Sequence, residues 1–60
     1  RERQCLELLA AGSRIGQIEV ELGIARKTID ATLSNVRRRL GALTNEQAIA
    51  IAITRRLIIV

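Results

Sequence analysis

The chain has 60 residues, with ten Lys or Arg against six Asp or Glu, and a formal net charge of +4. It contains no His, Phe, Tyr or Trp and one Cys. These absences remove the usual acid–base catalyst, a Cys- and His-rich metal site, and any aromatic platform for single-stranded nucleic acid. We therefore expect a binding domain that is not an enzyme and needs no metal or cofactor.

Glycines divide the chain into helix-sized pieces, because it contains no proline. The first piece, residues 1–11, has apolar side chains at helical spacing. In the second piece, Ile15, Ile18 and Leu22 fall on one face of a short helix, which Gly23 ends. The sequence therefore predicts two helices before residue 24.

The longest periodic stretch runs from Arg26 to Leu40, where apolar residues recur at intervals of four, three and four. A last helix is predicted from about Glu46 to Arg56, with Thr44 or Asn45 as its N-cap. The tail Leu57 to Val60 is the one strand-like segment, and it is too short to build a sheet alone. We predict an all-α domain, a four-helix bundle.

Two short helices joined by a tight turn at Gly23 predict a helix-turn-helix, in which the second helix enters the DNA major groove. Ile18, Leu22, Ile24 and Ile29 are placed to meet beneath the turn. Glu19 fits less well, because a small residue usually lies there so that the helices can approach. Either its carboxylate reaches the edge of the interface or the helices splay slightly.

On the face opposite its apolar stripe, the third helix presents cations and short side chains. Cations and hydroxyls suit phosphates, and short residues let a helix approach base edges. We predict phosphate contacts from Lys27, Thr28, Arg37, Arg38 and Arg39, and base-facing positions at Asp30, Ala31 and Ser34. A basic run at a helix end is often only a solvated cap, but the upstream helix-turn-helix favours DNA contact. The charge distribution agrees, since residues 1–30 are net neutral and residues 31–60 carry +4.

Short motifs also follow one another in a recognisable order. They are Arg1-Glu2-Arg3-Gln4-Cys5-Leu6, Leu9-Ala10-Ala11-Gly12, Ile18, Leu22-Gly23-Ile24, Lys27-Thr28-Ile29, Asn35-Val36, Arg39-Leu40-Gly41, Gln47-Ala48-Ile49, Ala52 and Leu57-Ile58. In this order they resemble the LuxR/GerE-type DNA-binding domain over the whole chain. Leu40-Gly41-Ala42 and Gln47-Ala48 resemble the quorum-sensing branch slightly more than the phosphorylated response regulators.

That resemblance implies the C-terminal output domain of a bacterial transcription regulator, controlled by a separate N-terminal sensor domain. It implies binding to partly palindromic double-stranded DNA as a homodimer, with RNA polymerase as a further partner. It also implies that Thr28 is the family's phosphate-contacting threonine and Arg39 its basic residue before Leu-Gly. The expected location is the cytoplasm, at the nucleoid when DNA is bound.

The chain departs from the family pattern at several positions. A basic residue usually stands at Asp30 and often a His at Thr32, Glu19 replaces a small residue, and Arg14-Ile15-Gly16 replaces a polar stretch. Asp30 can accept from a cytosine amino group or repel phosphates. The departures leave the fold prediction intact but change the expected target sequence.

On the last helix, Ala48, Ile49 and Ala52 form the face predicted to pack on the bundle. Because the family dimerises through this helix, we expect the dimer interface at Gln47, Ile51 and Thr54. The alternative is a helical protein-interaction module that uses residues 48–60 and does not bind DNA. An interfacial membrane helix is disfavoured by the absence of aromatic anchors, and no stretch is long enough to span a bilayer.

Overall fold

The computed structural model describes residues 2–58, which form four α-helices and no strand. Helix α1 spans Glu2–Ala10, α2 spans Ile15–Leu22, α3 spans Arg26–Leu40 and α4 spans Asn45–Thr54. The all-α prediction is confirmed, and α3 has the predicted bounds. Within this described part, no helix is both long enough and apolar enough to cross a membrane.

Helix α3 is the centre of the fold, and α1, α2 and α4 all pack against it. Three residues of its predicted apolar stripe, Ile29, Leu33 and Val36, are buried in a core that every helix shares, and the fourth, Leu40, is half-buried against it. The core residues are Cys5, Leu6, Ile18, Ile29, Leu33, Val36, Ala48, Ala52 and Ile58. No polar or charged residue of the described chain is buried, so the core forms without unpaired polar groups. Burying one stripe of α3 leaves the opposite face of the same helix in solvent.

Each helix ends at a residue with left-handed backbone geometry. After α1, α2 and α3 that residue is a glycine, with φ of 98° at Gly12, 65° at Gly23 and 70° at Gly41. After α4 it is Arg56, with φ of 57°. The hydrogen bond that closes α4 also has the same spacing as the one after α3. Leu57 N–H donates to the Ala52 carbonyl at 2.8 Å, as Ala42 N–H donates to the Arg37 carbonyl. Arg56 thus occupies a position where a Cβ atom is disfavoured.

Helix α4 differs from its predicted bounds of 46–56 at both ends. It begins at Asn45 because Thr44, one of the two predicted caps, accepts a hydrogen bond from Gln47 N–H at 3.0 Å. It ends at Thr54, two residues early, because the chain turns left-handed at Arg56.

The tail after α4 does not continue as the strand that its composition suggested. Leu57 and Ile58 form no strand, and Ile58 folds back into the core with 5% of its surface exposed. Packing against the helices removes this apolar side chain from water, so no partner strand is needed to bury it. Ile59 and Val60, the rest of the strand-like segment, lie outside the described residues.

Candidate nucleic-acid interface

Helices α2 and α3 and the turn between them form a closed helix-turn-helix. Of the four side chains predicted to meet beneath the turn, Ile18 of α2 and Ile29 of α3 are fully buried, and Leu22 and Ile24 are half-buried against the core. At the turn, the Glu19 carbonyl accepts from Gly23 N–H at 2.9 Å and from Ile24 N–H at 3.3 Å. The residue that fitted poorly, Glu19, is half-buried, which places it at the edge of the core. The turn therefore closes with Glu19 in place.

The outermost line of α3 consists of Lys27, Ala31, Ser34 and Arg38, which recur at helical spacing. Lys27, Ala31 and Arg38 are exposed and Ser34 is half-buried. A rise of 1.5 Å per residue puts the two cations about 16 Å apart along the axis. The line has long cationic side chains at its ends and short side chains at its centre. Its centre can therefore approach a surface closely while its ends reach phosphates on either side.

The N-terminus of α3 is open. Its N-cap, Ala25, has the extended geometry of a capping residue, with φ of −72° and ψ of 152°, but no side-chain oxygen to accept a hydrogen bond. The start of α4 is capped, because Oγ1 of Thr44 accepts from Gln47 N–H at 3.0 Å. At α2, Oε1 of Gln17 accepts from Arg14 N–H at 2.8 Å, which is the N–H of the N-cap residue itself. The first-turn N–H groups of α3 are thus available to an anion beside Thr28.

Asp30 lies on the flank of the exposed line and carries the one negative charge of α3. Its Oδ2 is 3.8 Å from Nε of Arg26, one helical turn earlier, and both side chains are more than half exposed. Such an exposed pair is weak and easily exchanged for another partner. Asp30 is therefore available as a hydrogen-bond acceptor on the face that the sequence predicted for bases.

The three consecutive arginines at the end of α3 occupy different environments. Arg37 is half-buried and donates from Nη1 to Oδ1 of Asn45 at the start of α4. Arg39 points to the opposite flank and forms an ion pair with Glu2 of α1. The side chain of Arg38, between them, has no hydrogen bond or ion pair with any residue from 2 to 58. Sequence spacing treats the run as one basic patch, whereas the fold separates its three members.

The residues predicted for a dimer interface are largely engaged within their own chain. Oε1 of Gln47 accepts from Leu43 N–H at 2.6 Å, and Oγ1 of Thr54 donates to the Ala50 carbonyl at 2.8 Å. Ile51 is half-buried.

Sequence reasoning missed a more exposed apolar residue on α4. Ile53 is 43% exposed, and Leu57 just beyond the helix is 49% exposed. Ala50, which is also exposed, lies three residues before Ile53, so the two share one face of α4. This spacing is the sequence signal by which the exposed apolar face could be identified.

The amino-acid sequence matches a known protein family. The family model described as bacterial regulatory proteins, luxR family, matches residues 1–52, which include α1, α2, α3 and most of α4. No curated protein and no solved structure matches the chain.

Proposed function

Because the chain belongs to the luxR family of bacterial regulatory proteins, whose GerE-type domain is a DNA-binding helix-turn-helix, we propose that α3 reads duplex DNA in the major groove. The domain acts as the output part of a cytoplasmic regulator, sequence-specific and dimeric on its operator. The quorum-sensing branch is the favoured one, because the motifs around Gly41 and Gln47 resemble it.

The observation that carries this proposal is the exposed line Lys27, Ala31, Ser34 and Arg38. The major groove is about 12 Å wide, and phosphates line both its edges. Two cations about 16 Å apart along a helix, with no side-chain partner among residues 2–58, can reach both edges while the short residues between them meet base edges. Lys27, Thr28 and Arg38 hold phosphates in this arrangement, and the open first turn of α3 adds backbone donors.

Base recognition falls to the short and polar residues on the same face. Ser34 can donate to or accept from a base edge, and Ala31 can contact a thymine methyl group. Asp30 accepts from a cytosine amino group, because an exposed carboxylate is an acceptor only. This assignment predicts an operator that has a cytosine at the position facing Asp30.

Dimerisation is proposed through α4. Gln47, Ile51 and Thr54 follow from the sequence, and the exposed Ile53 adds an apolar residue on the neighbouring face of the same helix. A two-fold axis through this face presents two copies of α3 to half-sites about 34 Å apart. An apolar residue exposed on α4 also suits the alternative, a helical interaction module without DNA binding.

A salt titration tests the phosphate contacts. Binding to a labelled random-sequence duplex is measured by fluorescence anisotropy across a range of salt concentrations. Lys27→Gln and Arg38→Gln should each make the slope of log affinity against log salt shallower by about 0.9, because each removes one neutralised phosphate. Arg55→Gln, which removes an exposed cation just after α4, is the matched control. A wild-type affinity that is insensitive to salt would refute the phosphate contacts, and no binding to the duplex would favour the interaction module.

A selection of bound sites from random duplexes tests base reading. Ser34→Ala and Asp30→Asn should change the selected sequence without changing the salt slope, because neither residue is a phosphate-binding cation. Ser13→Ala, outside α3, should leave the selected sequence unchanged. Identical selected sites for wild type and Asp30→Asn would refute the cytosine assignment.

A further inference from the structure

The ion pair between Glu2 and Arg39 joins the first residue of α1 to the end of α3. It is a long-range contact, spanning 37 positions of the chain. The Arg39 side chain is 71% exposed and that of Glu2 is 41% exposed. Both groups therefore remain accessible to a competing ion.

Arg39 also differs from its neighbour Arg38 in direction. One residue along a helix rotates a side chain by about 100°, so Arg39 leaves the exposed line and turns toward α1. There Nη1 of Arg39 donates to Oε1 of the Glu2 carboxylate, an anionic oxygen such as a phosphate would offer to the same guanidinium. Glu2 thus offers Arg39 an anionic oxygen from the same chain, as a phosphate would offer one from DNA.

We infer that Glu2 is an internal competitor of DNA phosphate for Arg39, and that it withholds this cation from the proposed interface. The inference rests on the proposed function, because it concerns a phosphate contact that Arg39 does not make at the proposed DNA-binding face. Arg38 and Lys27 have no such competitor among residues 2–58 and contact phosphate directly. Glu2 therefore lowers the domain's affinity for DNA of any sequence, which favours base reading over phosphate contact in selecting a site.

The test compares Glu2→Gln with Glu7→Gln. Glu7 is a close control, since it lies on the same helix and is also ion-paired, with its Oε2 3.3 Å from Nε of Arg3. Both substitutions raise the net charge by one, but only Glu2→Gln releases Arg39. Anisotropy with a random-sequence duplex at 0.1 M salt should show affinity rising by up to about fivefold for Glu2→Gln, because an exposed ion pair no longer opposes the phosphate contact of Arg39. Glu7→Gln should change it by less than about twofold, because salt screens a charge that contacts no phosphate.

The salt slope and a second substitution complete the design. Glu2→Gln should steepen the slope by about 0.9, and adding Arg39→Gln should abolish that gain. In the wild-type background Arg39→Gln should have little effect, and circular dichroism should show equal helix content for all variants. Equal effects of Glu2→Gln and Glu7→Gln, or weaker binding by Glu2→Gln, overturn the inference while the proposed function stands. A wild-type domain that does not bind duplex DNA overturns both.

Discussion

Arg37 donates a hydrogen bond from its guanidinium to Oδ1 of Asn45, which joins the last turn of α3 to the first residue of α4. The pair is partly buried, so water competes with it less than with an exposed contact. It links the helix proposed to read DNA with the helix proposed to form the dimer. Arg37 therefore has a structural role that its place in a basic run does not reveal.

We expect Arg37→Ala to lower the free energy of unfolding by about 1–2 kcal/mol, because it breaks a charged, partly buried hydrogen bond. Urea denaturation measures this change. Arg38→Ala, at the exposed neighbouring position, should stay within about 0.5 kcal/mol of wild type. The salt slope of DNA binding should be unchanged by Arg37→Ala. A slope shallower by about 0.9 would instead identify Arg37 as a phosphate ligand.

We expect Ala25→Ser to stabilise the fold and weaken DNA binding together. A serine at the N-cap of α3 supplies the missing acceptor and adds about 0.5–1 kcal/mol to the free energy of unfolding. The same hydroxyl occupies backbone donors proposed for phosphate, so affinity should fall by a few fold. Thermal unfolding and anisotropy measure the two effects.

The control for that prediction is Thr44→Ala, which removes the cap of α4 instead. It should cost about 1 kcal/mol of stability while the DNA affinity of the folded domain stays unchanged. If Ala25→Ser left affinity at the wild-type value, the open helix start would have no part in binding.

We expect Arg56→Gly to stabilise the domain by about 1 kcal/mol, because glycine adopts the left-handed geometry without the cost of a Cβ atom. For a domain of this size the melting temperature should rise by about 4–8 °C. Arg56→Ala separates backbone strain from charge, since it removes the guanidinium and keeps the Cβ. An equal rise for Arg56→Ala would attribute the effect to charge.

We expect Ile53→Glu to prevent assembly of two copies on DNA, because it places a charge in the exposed apolar part of α4. Val20→Glu is the matched control: it changes an apolar residue that is 85% exposed on α2, and it alters net charge equally. Sedimentation of each variant with a two-fold symmetric duplex should show two bound copies for Val20→Glu and one for Ile53→Glu. Two copies for Ile53→Glu would exclude this face as the interface.

Local patterns of the chain were sufficient to predict the fold. The spacing of Ile29, Leu33 and Val36 identifies α3, since burial of one helical stripe needs only the right residue types at the right intervals. The ends of three helices followed from glycines, and one end was missed because Arg56 adopts glycine's geometry. Residue-type preferences do not predict a left-handed arginine. In the structure this conformation occurs together with the burial of Ile58, just beyond it.

The candidate site was predictable only in part, for a different reason. Sequence spacing places Lys27, Ala31, Ser34 and Arg38 on one face, because positions on a single helix are related by its periodicity. Which cation on that helix is paired depends on other helices. Glu2 and Arg39 are 37 positions apart, and only the packing of α1 against α3 brings them together.

The amino-acid sequence by itself thus determined the four helices, the apolar stripe of α3 and the small-residue face opposite it. Each of these depends on the periodicity of one helix and on local backbone preferences. The tertiary structure decided which members of the basic run Arg37-Arg38-Arg39 have partners, because an ion pair or a hydrogen bond between helices depends on their relative placement. Three identical side chains in succession differ because they rotate by about 100° per residue, toward α4, solvent and α1 in turn.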